Sequence, residues 1–267
     1  MIPYDIHVHT RLSTCSGDPN STIPNFVKLL KGTSIKTVGI SEHMWDSDIP
    51  GASEWYKPQN FEHICRVHEQ IPENFDFCGI KFLFGCETEF DMHGTMAITR
   101  EHAQMLDFVI CPHSHTHFFD LVMPRECMAS YESHAQFLVE SFLRLVNHPQ
   151  IDLITSIAHP FDPCADCNHV EEVLRCITDA EFEDCFRSAR DAGVGIELNA
   201  ASFRSAFTQH PDIETSQYCR MYRIAKACGC KFTYGSDSHS PSRYYMFDWM
   251  EKSMKAFGLT GDDFLKI

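Results

Sequence analysis

The chain has 267 residues, 43% hydrophobic and 12% aromatic, which supplies a real core for one large domain or two small ones and excludes disorder. Its 37 acidic and 22 basic side chains give a formal charge of −15 at neutral pH, and no basic stripe is offered to duplex nucleic acid. No apolar run approaches the roughly 18–20 residues that a membrane span needs, and Met1-Ile2-Pro3-Tyr4 does not read as a signal peptide, so a cytoplasmic protein is expected.

In chain order, short β-type apolar runs alternate with longer segments of helical period. A strand at 4–8 precedes a helix at 23–31, and a strand at 37–41 precedes a helix at 60–70. Strands at 80–87 and 108–111 lead to a helix at 129–147. The strand at 153–158 is followed by a helix at 179–191, the strand at 195–199 by one at 215–228, and the strand at 231–235 by one at 243–257. Strand then helix, repeated, implies parallel strands joined by crossovers, and no Ser/Gly-rich linker divides residues 1–267 into two domains. The thirteen cysteines are scattered through these elements, which suits buried thiols better than a disulfide framework.

A barrel of parallel strands places its chemistry at the C-terminal strand ends. The first strand runs Asp5-Ile6-His7-Val8-His9-Thr10. Residues two apart on a strand share a face, so His7 and His9 project together and can grip one ion. The second strand leads into Ser41-Glu42-His43, and the third ends in Gly85-Cys86-Glu87. The fourth leads to His113-Ser114-His115-Thr116-His117, the fifth to Ala158-His159-Pro160, and the sixth to Glu197-Leu198-Asn199. The seventh ends in Gly235-Ser236-Asp237-Ser238-His239. Imidazole and carboxylate at nearly every strand end, with no convincing thiolate partner, suit zinc, manganese or iron. More than four such ligands imply more than one ion.

This ordered set resembles the polymerase-and-histidinol-phosphatase (PHP) metallohydrolase family, and the likeness runs from Asp5 to His239. Its most specific parts are the paired ends, Asp5-Ile6-His7-Val8-His9-Thr10 and Gly235-Ser236-Asp237-Ser238-His239. The resemblance implies a distorted (β/α)7 TIM-like barrel and two to three divalent metal ions. It also implies that His7, His9 and Asp237 bind the first ion and that Glu87 bridges the first and second. The second ion would also take His159 and one histidine of the fourth-strand loop, with His115 preferred to His113 and His117. The third would take His43, His239 and Asp18. Asp5 is expected to orient a ligating imidazole. The implied activity is hydrolysis of a small phosphate monoester, histidinol phosphate included, by a metal-bridging hydroxide. An anionic substrate is compatible with the charge of −15 once metals face it.

One departure bears on the substrate. Members of the histidinol-phosphatase branch often carry Arg just after the Ala-His-Pro motif, where this chain reads Phe161-Asp162-Pro163-Cys164. Arg204 or Arg243 is expected to hold the phosphate instead. The alternative is a hydrolase of the same type acting on an amide or lactone. Cys164-Ala165-Asp166-Cys167 with His169 lacks the second cysteine pair of a thiolate zinc site. Trp45, Trp55 and Tyr56 either cap the pocket or close the barrel end. No Walker loop, nucleophile elbow or dinucleotide fingerprint occurs.

Overall fold

The computed structural model describes residues 4–209 and 212–267, with the side chains of 205–209, 243 and 245–250 outside the described set. Seven parallel strands follow one another in sequence order: β1 (Asp5–Val8), β2 (Thr37–Met44), β3 (Lys81–Thr88), β4 (Phe108–Pro112), β5 (Ser156–Ala158), β6 (Gly195–Asn199) and β7 (Phe232–Gly235). The segment after β7 returns to β1. Asp237 N donates to His7 O at 2.8 Å, and His9 N donates to Ser238 O at 3.0 Å. These bonds bring the open edge round into a nearly closed, TIM-like barrel.

Helices α1 (Ile23–Leu30), α2 (Phe61–Cys65), α3 (Arg100–Gln104), α4 (Tyr131–Val146), α5 (Val170–Arg175), α6 (Asp179–Ala192), α7 (Ala200–Gln209), α8 (Gln217–Ala227) and α9 (Phe247–Phe257) surround it. Their sequences explain their faces. Helix α1 buries Ile23, Phe26, Val27 and Leu30, the one-sided spacing of an amphipathic helix. Helix α6 opens on a Thr178/Glu181 capping box and ends on Gly193 at φ +77°, a left-handed conformation that glycine adopts without strain.

The barrel interior requires two glycines. Gly39 on β2 and Gly85 on β3 face the Phe108 ring, and a Cβ on either would lie 2.6 Å from it. Phe108 fills the floor, and on the same inward faces, further along β2 and β3, come His43 and Glu87, which are paired in register.

The structure revises several sequence-derived boundaries. Strand β2 runs on through Glu42 and His43 to Met44, because every residue after Thr37 is buried and the strand is paired with β3 throughout. Residues 151–153 form a 3₁₀ turn, leaving β5 only three residues. The segment 60–70 divides into α2 and a 3₁₀ stretch, and α3, α5 and α7 were not anticipated. The cysteines are thiols. No described helix is long and apolar enough to cross a membrane.

Candidate metal centre

The strand ends converge on Glu87, which is 1% exposed. Its Oε2 lies 3.0 Å from His43 Nδ1 and 3.3 Å from the Nε2 atoms of both His7 and His9. Its Oε1 lies 3.0 Å from His159 Nε2 and 3.5 Å from His115 Nε2. Asp237 Oδ1 approaches His7 and His9 from the other side, at 3.6 and 3.7 Å. Three donor sets result, each with its nitrogen and oxygen atoms within 4.8 Å of one another: His7, His9 and Glu87; Glu87, His115 and His159; and His9, His43 and His239.

Bonds on the outer ring nitrogens aim four of these imidazoles. His7 Nδ1–H donates to Glu197 Oε1 at 2.7 Å, and His115 Nδ1–H to Glu89 Oε2 at 2.8 Å, an oxygen that also accepts from the Tyr56 hydroxyl. His9 Nδ1–H donates to Ser13 Oγ at 3.0 Å, and that hydroxyl passes its own hydrogen to Glu42. His159 Nδ1–H donates to Ser114 Oγ at 2.7 Å, whose hydrogen goes to the His159 carbonyl. Each ring therefore turns an Nε2 lone pair inward, the arrangement in which outer partners fix a ligating histidine's tautomer. The Nε2 atoms of His7 and His9 stand 3.0 Å apart. At that spacing either a proton on one ring or an ion gripped by both fills the gap, and with Glu87 beside them the pair makes a donor set that fits a divalent ion.

The electrostatics agree. Burial opposes a charge on His7, yet the carboxylates of Glu197, Glu87 and Asp237 raise its pKa well above the ordinary value. Burial, with His239 and His43 alongside, pushes His9 well below. Burial would raise Glu87, but His43, His7 and His115 hold its carboxyl well down. The pocket is built to hold positive charge among buried carboxylates. Backbone strain collects here too, with φ +28° at His159, +59° at Phe161 and +51° at Asp237.

The structure thus assembles His7, His9, His43, Glu87, His115, His159, Asp237 and His239. Of the fourth-strand histidines, only His115 enters a donor set. His113 Nε2 accepts from Phe161 N at 2.9 Å, and His117 lines the cavity mouth. Asp18 is in none of the three donor sets; its carboxylate accepts from Ser240 Oγ at 2.5 Å and from Asn20 N at 2.8 Å. Asp5 does not orient an imidazole. Its Oδ1 accepts the backbone N–H groups of His7 and Ser236 at the barrel seam. Glu197 takes that orienting role, and the sequence signal was its place two residues before Asn199 at the end of β6.

Cys15 lines the cavity together with His43 and His239 but joins no donor set. Burial raises its thiol, but hydrogen bonds to His239 and His43 bring it down to about 7. The residue as a whole remains exposed.

A cavity of 330 Å³ opens over the cluster, walled in part by Trp55, Phe118, His117, Asp162, Cys164 and Ser202. The Trp55 ring sits 5.2 Å from His43, whereas Trp45 and Tyr56 are buried in a small satellite core. Among the described lining residues there is no Lys or Arg. Arg204 is exposed on α7 and does not line the cavity. The Arg243 side chain lies outside the described residues. Cys164, Cys167 and His169 join no donor set, and His169 is bonded to Asp166.

The fold has solved counterparts. It matches the histidinol phosphate phosphatase of Lactococcus lactis subsp. lactis, solved with zinc, L-histidinol and phosphate, at 19% identity and a TM-score of 0.65 over 97% of this chain and 94% of that one. It also matches a Listeria monocytogenes protein described as a histidinol phosphatase, at 13% identity and a TM-score of 0.63 over 90% of this chain and 97% of that one. No protein-family model matches the chain, and no curated protein sequence does.

Proposed function

We propose that the protein is a metal-dependent phosphoric monoester hydrolase acting on a small phosphorylated substrate. The observation that carries this reading is the position of Glu87, whose two oxygens face His7, His9 and His43 on one side and His115 and His159 on the other. Such a carboxylate can bridge two ions. His7, His9, Asp237 and Glu87 would hold the first; Glu87, His115 and His159 the second; and His43 and His239 belong to a third. Bound there, divalent zinc, manganese or iron would lower the pKa of a water and neutralise phosphate charge.

The chain's own groups do the rest. Glu197, Ser13, Ser114 and Glu89 keep the ligand lone pairs aimed inward. Trp55 and Phe118 exclude water from the mouth, which strengthens every charge interaction inside. His117 is pushed down to about 3, first by burial and then by His115 and His159, so at neutral pH its ring is neutral at the mouth. The matching fold of a phosphatase solved with zinc and phosphate supports the choice of phosphorus over other centres.

One observation favours a second reading, hydrolysis of an amide or lactone: the described lining offers Asp162 and no Lys or Arg to a phosphate. Phosphate release from a panel of monoesters, assayed with each metal beside matched amides and lactones, separates the two. Monoester turnover abolished by chelator is the expected result. Amide or lactone turnover with no phosphate release would replace the first reading with the second.

A further inference from the structure

We propose that Asn199 is a positioning residue for the first ion, holding both the ligand Asp237 and the orienting carboxylate Glu197 through one side-chain amide. This rests on the metal reading above and deepens it.

Asn199 closes β6, stands immediately before α7 and is fully buried. Its Oδ1 accepts Ser202 N at 2.9 Å, the bond by which an N-cap residue satisfies the third residue of its helix. That bond settles which way the amide points, since a backbone N–H needs an oxygen. The opposite end meets two carboxylates. Nδ2 donates to Glu197 Oε2 at 3.1 Å and to Asp237 Oδ2 at 3.3 Å. Ionised carboxylates only accept, so these contacts independently require the N–H₂ end there.

Each carboxylate gives Asn199 one oxygen and keeps the other for the centre. Glu197 Oε1 takes the His7 Nδ1 hydrogen at 2.7 Å. Asp237 Oδ1 lies 3.6 and 3.7 Å from the Nε2 atoms of His7 and His9. A freely turning carboxylate would offer either oxygen, whereas Asp237, held at Oδ2, presents Oδ1. The two negative groups repel across this gap, and the amide's pair of hydrogens offsets the repulsion. Gly235 leaves room for the arrangement, because a Cβ there would lie 1.8 Å from Glu197 Oε1.

Capping α7 and holding the carboxylates use opposite ends of the amide, so substitution separates them. Asn199→Asp and Asn199→Ser both keep an oxygen suited to an N-cap, and both lose the N–H₂ end. Chelator competition on the cobalt(II)-loaded protein reads affinity, and the visible cobalt spectrum reads the geometry around the ion. Both variants should bind one ion about 10- to 100-fold more weakly than the parent, the range for outer partners of metal ligands. Their cobalt spectra should differ from the parent's. Asn199→Ser adds no charge and decides the matter if Asn199→Asp fails to fold. Affinity and spectrum like the parent's in Asn199→Ser overturn the proposal and leave Asn199 a helix cap. Loss of the fold in both variants overturns it too, since the residue would then be structural. In either case the histidine and carboxylate centre stands. A parent that binds no cobalt overturns the centre and the positioning role together.

Discussion

Glu87 presents two oxygens to five imidazoles, and its negative charge is what lets them gather. Glu87→Gln keeps the shape and removes the charge. It should retain the fold, lose at least one ion by elemental analysis, and lose most turnover; near-normal turnover would refute the bridging role. Glu197 acts one step back, through the 2.7 Å bond to His7 Nδ1. Outer partners of ligating histidines are worth about 10- to 100-fold in metal affinity or activity, so Glu197→Ala should fall near the upper end and Glu197→Gln, which still accepts the bond, near the lower. Chelator competition reads the affinity directly. Most of these residues were legible in the sequence, because strand periodicity places His7 beside His9 and strand ends collect the other ligand types. Glu197 was less so. A glutamate at a strand end does not show which imidazole it will orient.

At the level of elements, the floor of the barrel depends on an exchange of volume between β2, β3 and β4. Gly39 and Gly85 leave room for the Phe108 ring, and the two glycines differ in what surrounds them. A Cβ on Gly39 meets the ring at 2.6 Å and the Ile6 backbone only at 3.0 Å, whereas one on Gly85 lies 2.5 Å from the backbone oxygen of Phe108. Overpacking of this kind destabilises by about 1–3 kcal/mol. Gly39→Ala should therefore be substantially relieved by adding Phe108→Leu, while Gly85→Ala should not. Urea melts of the two double variants test the difference, and equal relief would show that the ring alone limits both sites. The strand–helix alternation was readable from periodicity, and the barrel order followed from the family resemblance. Short elements such as α3 and α5, at five and six residues, carry too few turns to register a period. Strand β5 was overdrawn at its start, because Leu153 closes a 3₁₀ turn and Ile154 and Thr155 precede the paired residues Ser156–Ala158.

Across the whole molecule, the acidic balance of −15 concentrates in the barrel's interior as well as on its surface. Asp5, Glu42, Glu87, Glu89 and Glu197 are each no more than 1% exposed, and no described ion pair joins any of them to Lys or Arg. Hydrogen bonds satisfy Asp5, Glu42 and Glu89, but Glu87 is met by imidazoles alone, so metal binding there should double as folding energy. Ligand at 100 times its dissociation constant stabilises by about 2.7 kcal/mol, and removing the ions with chelator should lower Tm accordingly. The pH dependence follows from the histidines. Although burial opposes it, neighbouring carboxylates raise the pKa of His7 and His43 well above the ordinary value. In the metal-free chain, protonation of these rings stabilises the fold fully below the unfolded value near 6.5, and that contribution is lost as pH rises through the raised folded values. A metal ion needs those rings unprotonated. The gap in Tm between loaded and chelated protein should therefore be small near pH 5 and widen as pH rises above 6.5. Thermal melts across that range, with and without metal, provide the check. A gap constant with pH would mean that His7 and His43 carry no proton for the metal to displace.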